Sequence, residues 1–123
     1  MNRKNTVAIV LAAAAVCIGL NAQAQDAAAG KAVFAQCASC HTTDGSPLVG
    51  PSLQGIAGRA SGSFGGFRYS RALKSANITW DDAHLDAFIA NPQTVVPGNV
   101  MPFSGIADAK QRTNLIAYLK TLK

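Results

Sequence analysis

At 123 residues and 49% hydrophobic content, the chain has material for one domain with one core and too little for two. Eleven basic residues against six acidic ones give a formal charge of +5, and none of the acids is Glu. The basic residues are scattered rather than gathered on one stretch, which argues against nucleic acid as a partner.

The first residues read as an export signal. Arg3 and Lys4 make a short positive start, Thr6 to Leu20 is almost wholly apolar, and Ala22-Gln23-Ala24 places small residues where a signal peptidase reads them. The apolar run is too short for a membrane anchor, so a signal peptide over 1–24, cleaved after Ala24, is expected. Cys17 lies within it and follows Val16, not the small residue that precedes a lipidated cysteine, so it is expected to leave with the signal. The exported domain is then 25–123. It keeps Cys37 and Cys40, and with nine basic residues against six acidic ones its charge is +3.

Asp26 is a good N-cap ahead of three alanines, and Val33, Phe34 and Cys37 follow at i, i+1, i+4 spacing. This predicts a first helix running into Cys37-Ala38-Ser39-Cys40-His41, a C-x-x-C-H sequence that is the attachment signature for c-type haem. Two cysteines three apart on a helical turn point in similar directions and can form thioethers with both haem vinyl groups. His41, next in line, is carried beneath the ring, where an imidazole nitrogen can bond iron. Other chemistries use parts of this pattern. A disulfide between Cys37 and Cys40 suits an oxidising compartment; a thioredoxin-like redox pair would want a βαβ surround, which this chain lacks; a zinc site needs four ligands, and only His84 remains to help.

A Gly- and Ser-rich stretch from Thr42 to Gly66, broken by Pro47 and Pro51, predicts a long loop that wraps a cofactor. Ser70 to Ser75 predicts a short helix. Thr79-Trp80-Asp81-Asp82 reads as a capping box for a helix with Leu85, Phe88 and Ile89 on one face, stopped at Asn91-Pro92. Met101, the one methionine of the exported domain, lies in Val96-Pro97-Gly98-Asn99-Val100-Met101-Pro102-Phe103. Prolines and glycine make that segment a poor core helix, and a pinned loop can turn a thioether toward iron. His84 is the rival sixth ligand, though its polar helical surroundings read as solvated surface. Asp108 caps a last helix with Leu115, Leu119 and Leu122 at i, i+4, i+7 and Lys120 and Lys123 at its C-terminal end. The expected fold is small and all-α: three main helices plus a short one, the first and last paired, with long loops around one cofactor.

In this order the residues resemble the class I cytochrome c family, near its mitochondrial and bacterial c2 branch, over nearly all of 26–122. The matching residues are Gly30, Phe34 and Cys37 to His41; Gly50 to Gly55, Gly58 and Arg59; Phe67-Arg68-Tyr69-Ser70 and Trp80; Asn91-Pro92 and Pro97 to Phe103; then Arg112 and Leu115 to Leu119. The resemblance implies one covalently bound haem c held by Cys37 and Cys40, with His41 and Met101 on the iron. It implies that the Pro51 carbonyl accepts from the His41 ring and that Arg59, Tyr69 and Trp80 stabilise a haem propionate. Phe103 would shield the haem edge, and Gly30 and Tyr118 would let the terminal helices cross closely. It further implies a monomeric, periplasmic one-electron carrier that is not an enzyme. Its redox partner proteins would be a membrane quinol-oxidising complex, a terminal oxidase, a reaction centre or a periplasmic dehydrogenase. Two other functions stay open at this point: a haem peroxidase or ligand-binding protein, if Met101 is not on the iron, and a tightly bound subunit of a dehydrogenase or oxidase. The chain also departs from the family pattern. Gln36, Gln93, Thr94 and Val100 stand where mitochondrial members ring the haem edge with lysines, and Phe88 replaces a frequent tyrosine.

Overall fold

In a computed structural model that describes residues 25–123, the Asp26 carboxylate accepts from the Ala29 amide and starts helix α1, Ala27–Val33. The signal peptide expected over 1–24, and Cys17 with it, lies outside the described residues. The helix does not carry on unchanged into the cysteines. It tightens into a 3-10 turn at Phe34–Gln36, and the Cys37 and Ala38 amides both return to the Phe34 carbonyl, at 2.8 and 3.1 Å. The Cys40 and His41 amides then donate to Cys37 O, at 3.1 and 2.9 Å, so the motif sits on its own helical turn.

From residue 42 to 70 the chain has no helix. Its one piece of ladder is an isolated antiparallel bridge between Ala60 and Thr79. Helix α2, Arg71–Ser75, is the short helix expected there, with Ser70 Oγ accepting from the Leu73 amide. Helix α3 spans Asp82–Ala90, and here the capping box needs correction: the N-cap is Asp81, not Thr79. The cause is the bridge. The Trp80 amide donates to Arg59 O at 2.9 Å and Trp80 O accepts from Gly58 at 2.8 Å, so Thr79 and Trp80 are held extended and the helix starts after them. Asn91 does stop α3, but its side chain also accepts from the Thr94 amide and opens a one-turn helix α4, Pro92–Val95, which the stop signal at Asn91-Pro92 does not announce. Pro92 suits that first position, where an amide proton has no helical partner. Helix α5 runs over Ala109–Leu119 behind its Asp108 cap.

The first and last helices pair as expected. They meet at Gly30, where a Cβ would fall 1.9 Å from the Asn114 carbonyl oxygen, so only a bare Cα lets α1 and α5 approach this closely. Phe34 and Tyr118 stack beside the crossing with ring centroids 5.2 Å apart, and the Asp26 amide donates to Asn114 Oδ1 at 3.1 Å. Helix α3 contributes Leu85, Phe88 and Ile89 to the buried core, and α5 contributes Leu115, Ile116 and Leu119. The fold is the small all-α one expected. Among the described residues no helix is long and apolar enough to cross a membrane.

Candidate functional site

The long loop and the helices enclose a cavity of about 290 Å³. Cys37, Cys40, His41, Pro51, Arg59, Tyr69, Trp80, Met101 and Phe103, scattered over the sequence, all line it. His84 does not. It is exposed on α3, with Nδ1 2.8 Å from Asp81 Oδ1.

At the motif end, Cys37 and Cys40 are partly buried free thiols with no disulfide between them. Burial first, and Cys40 second, push the Cys37 thiol above its usual value. His41 Nδ1 lies 2.7 Å from the Pro51 carbonyl. A carbonyl can only accept, so Nδ1 carries the proton and donates, and Nε2 keeps a free lone pair. Burial holds the ring below the ordinary histidine value, as does the Arg59 charge more weakly, while the bond to Pro51 acts the other way. Gly50 makes the arrangement possible: a Cβ there would sit 2.6 Å from His41 Cε1 and 2.8 Å from Nδ1. Ser52, fully buried, holds the turn, its Oγ accepting from Gly45 N at 3.0 Å and Gln54 N at 3.2 Å.

Arg59 reaches over the loop with Nη1 donating to Gln54 O at 2.9 Å and Nη2 to Ser52 O at 3.1 Å. Its guanidinium carbon lies 4.6 Å from the centre of the Phe64 ring. The third donor, Nε, is buried with no hydrogen-bond partner among the described residues. Burial lowers the Arg59 pKa, partly offset by Tyr69. A half-buried cation with a buried, unmet donor beside a cavity calls for an anionic acceptor, which fits a carboxylate-bearing prosthetic group. Tyr69 packs edge-on against Phe67, its hydroxyl accepting from Phe64 N at 3.1 Å. Trp80 packs edge-on against Phe88 at 4.9 Å. Apolar walls, two free thiols, an imidazole and a thioether suit haem; the nine residues fit the group.

Met101 enters from a segment between α4 and α5 that has no helix or strand of its own. Asn99, only 5% exposed, donates through Nδ2 to Pro92 O and Val96 O and accepts from the Met101 amide through Oδ1 at 3.0 Å. The sequence reading gave Asn99, Ser52 and Gly50 no role at the site. A Pro-Gly-Asn turn signals a bend, and nothing in it announces that the asparagine side chain faces inward.

The cytochrome c family model matches residues 27–123. Cytochrome c of Euglena viridis is 45% identical over 100 residues, covering 80% of this chain and 98% of that protein. Cytochrome c2 of Blastochloris viridis is 44% identical over 101 residues, covering 80% of each. The solved structure of cytochrome cH from Methylobacterium extorquens superposes with a TM-score of 0.76 at 45% identity, covering 78% of this chain and 98% of that one. With thiols, imidazole and thioether gathered on one apolar cavity, the chain belongs to the cytochrome c family, electron carriers with one covalently bound haem c.

Proposed function

We propose that this chain is an exported, periplasmic electron carrier without enzymatic activity, its haem bound through thioethers from Cys37 and Cys40 and its iron ligated by His41 and Met101. The observation that supports this reading best is the His41–Pro51 hydrogen bond, which fixes the tautomer and leaves Nε2 with a lone pair to offer iron, on a residue that lines the cavity. The bound haem iron supplies a one-electron couple between ferric and ferrous states. The protein's part is to hold its ligands still and its pocket dry. The Pro51 carbonyl orients the imidazole, while Arg59 Nε, the Tyr69 hydroxyl and the Trp80 indole answer propionate charge. Leu85, Phe88, Leu115 and Leu119 exclude water, and a dry pocket with a soft thioether favours the ferrous state, so a comparatively high potential is expected.

A second reading, a subunit held tightly by one redox enzyme, draws on the cavity mouth. Val49 and Val100 line it and are 66% and 78% exposed. Apolar side chains there favour contact that salt does not weaken.

Optical spectra of the exported protein, oxidised and reduced, with and without carbon monoxide, test the proposal. Covalently retained haem, a sulfur-to-ferric-iron charge-transfer band and indifference to carbon monoxide are expected. Rapid carbon monoxide binding without the sulfur band would make this an open-site haem protein instead, and loss of haem under denaturing extraction would refute thioether attachment. An N-terminus other than Gln25 on the exported protein would refute cleavage after Ala24.

A further inference from the structure

Met101 is delivered to the cavity by a segment, residues 96–108, that belongs to no helix or strand. Its far end is tied by Arg112 through Ile106 O and Ala107 O, and the stretch from Pro97 to Met101 is held by two other side chains. Asn99 works from inside, buried, with its amide on Pro92 and Val96 and its oxygen on the Met101 amide. Gln93 works from outside. It is exposed on α4, and its side-chain amide behaves as a peptide group laid against the Pro97-Gly98 turn: Nε2 donates to Asn99 O at 2.8 Å while Oε1 accepts from Gly98 N at 3.1 Å. The residue whose backbone oxygen Gln93 grips is thus the one whose side chain fixes the Met101 backbone.

We propose that Gln93 is a positioning residue, a latch that sets how readily Met101 leaves the iron and admits an outside ligand. This rests on the reading of Met101 as the axial ligand. The latch needs a donor and an acceptor on one side chain, which an amide has and a lysine lacks. A lysine at this position, as in the mitochondrial members, could meet Asn99 O but would leave the Gly98 amide unanswered. Because Gln93 and Gly98 are both exposed, releasing the latch hands the Gly98 amide to water and leaves the core untouched. The cost therefore falls on the closed state of the segment and not on the fold.

The test uses haem-loaded protein, with imidazole as the probe. Imidazole binding to the ferric form and the sulfur-to-iron band are measured in the parent, in Gln93→Ala and in Gln93→Lys. Asp108→Ala, which removes the α5 cap away from the cavity, serves as a control that lowers melting temperature alone. Gln93→Ala is expected to bind imidazole about three- to tenfold more tightly, the scale of one or two exposed hydrogen bonds, with Gln93→Lys in between and Asp108→Ala unchanged. Parent affinity in Gln93→Ala, or an equal gain in Asp108→Ala, would overturn the latch. A parent that already lacks the sulfur band and binds imidazole freely would overturn the axial role of Met101, and the latch with it.

Discussion

Replacing Gly30 by Ala turns the α1–α5 crossing into a measurement. The added Cβ would lie 1.9 Å from Asn114 O, 2.5 Å from Asn114 C and 2.9 Å from Tyr118 Cβ, where non-bonded carbons keep at least 3.0 Å. Two of those atoms are helical backbone and cannot rotate away, so the helices must part by about 1 Å. Parting them strains the Phe34–Tyr118 stack and the Asp26–Asn114 bond, and it shifts Leu115 and Leu119, which line the cavity. Overpacking of this kind costs about 1–3 kcal/mol, and a backbone clash belongs at the upper end. At about 4–8 °C per kcal/mol for a domain of this size, the melting temperature should fall by roughly 12–24 °C. The sign discriminates as well as the size. In a helix without close neighbours Gly→Ala gains about 0.5–1 kcal/mol. Thermal and guanidinium unfolding of the haem-loaded variant reads both, and a melting temperature equal to or above the parent's would refute the close crossing.

Two further outcomes are expected. The Asp81 carboxyl is held below its ordinary value of 3.8, chiefly by the His84 amide and then by the His84 side chain. Its contribution is present above that ordinary value and vanishes as pH falls through the lowered one, so the stability gap between parent and Asp81→Asn should be present at pH 5 and close in stronger acid; a gap that persists unchanged into strong acid would count against it. Lysines at positions 49 and 100 should speed oxidation of the ferrous protein by hexacyanoferrate(III) severalfold at low ionic strength. The gain should disappear near 1 M salt, where the screening length is about 3 Å; an unchanged rate at low salt would place electron exit away from this mouth.

What the sequence made legible was local chemistry whose partner lies a few residues away. Asp26 and Asp108 cap the helices assigned to them because a cap needs only an amide two or three residues ahead. The C-x-x-C-H spacing works the same way. Thr79 was misread because what overrides its capping is Ala60, nineteen residues earlier, through a bridge with no pattern of its own. Helix α4 was missed because Asn91 serves as the end of one helix and the start of the next, and Pro92 signals a stop as readily as a first turn. Resemblance supplied Pro51 and Arg59, which spacing alone could not have placed. Gln93 was noticed only as an absent lysine, since an exposed glutamine carries no sign that both ends of its amide are engaged.

The cavity lining also bears on what the chain is without its cofactor. Of eleven buried hydrophobic side chains among the described residues, seven line the cavity: Ile56, Trp80, Leu85, Phe88, Ile89, Leu115 and Leu119. Full exposure costs about 1.5–3 kcal/mol for each such side chain, so opening the cavity far enough to wet a third of their surface removes roughly 4–7 kcal/mol over the seven. A domain of this size has about 5–15 kcal/mol in total. Residues 42–70 have no helical ladder to offset that loss. The Gly30 crossing, with Phe34 and Ile116 off the cavity, is the part best able to persist. A Cys37→Ser, Cys40→Ser chain made without haem should therefore show some helical far-ultraviolet dichroism but no near-ultraviolet signal and no cooperative melt. A sharp thermal transition with structured near-ultraviolet bands would mean that the protein packs its own core and that haem is a passenger in it.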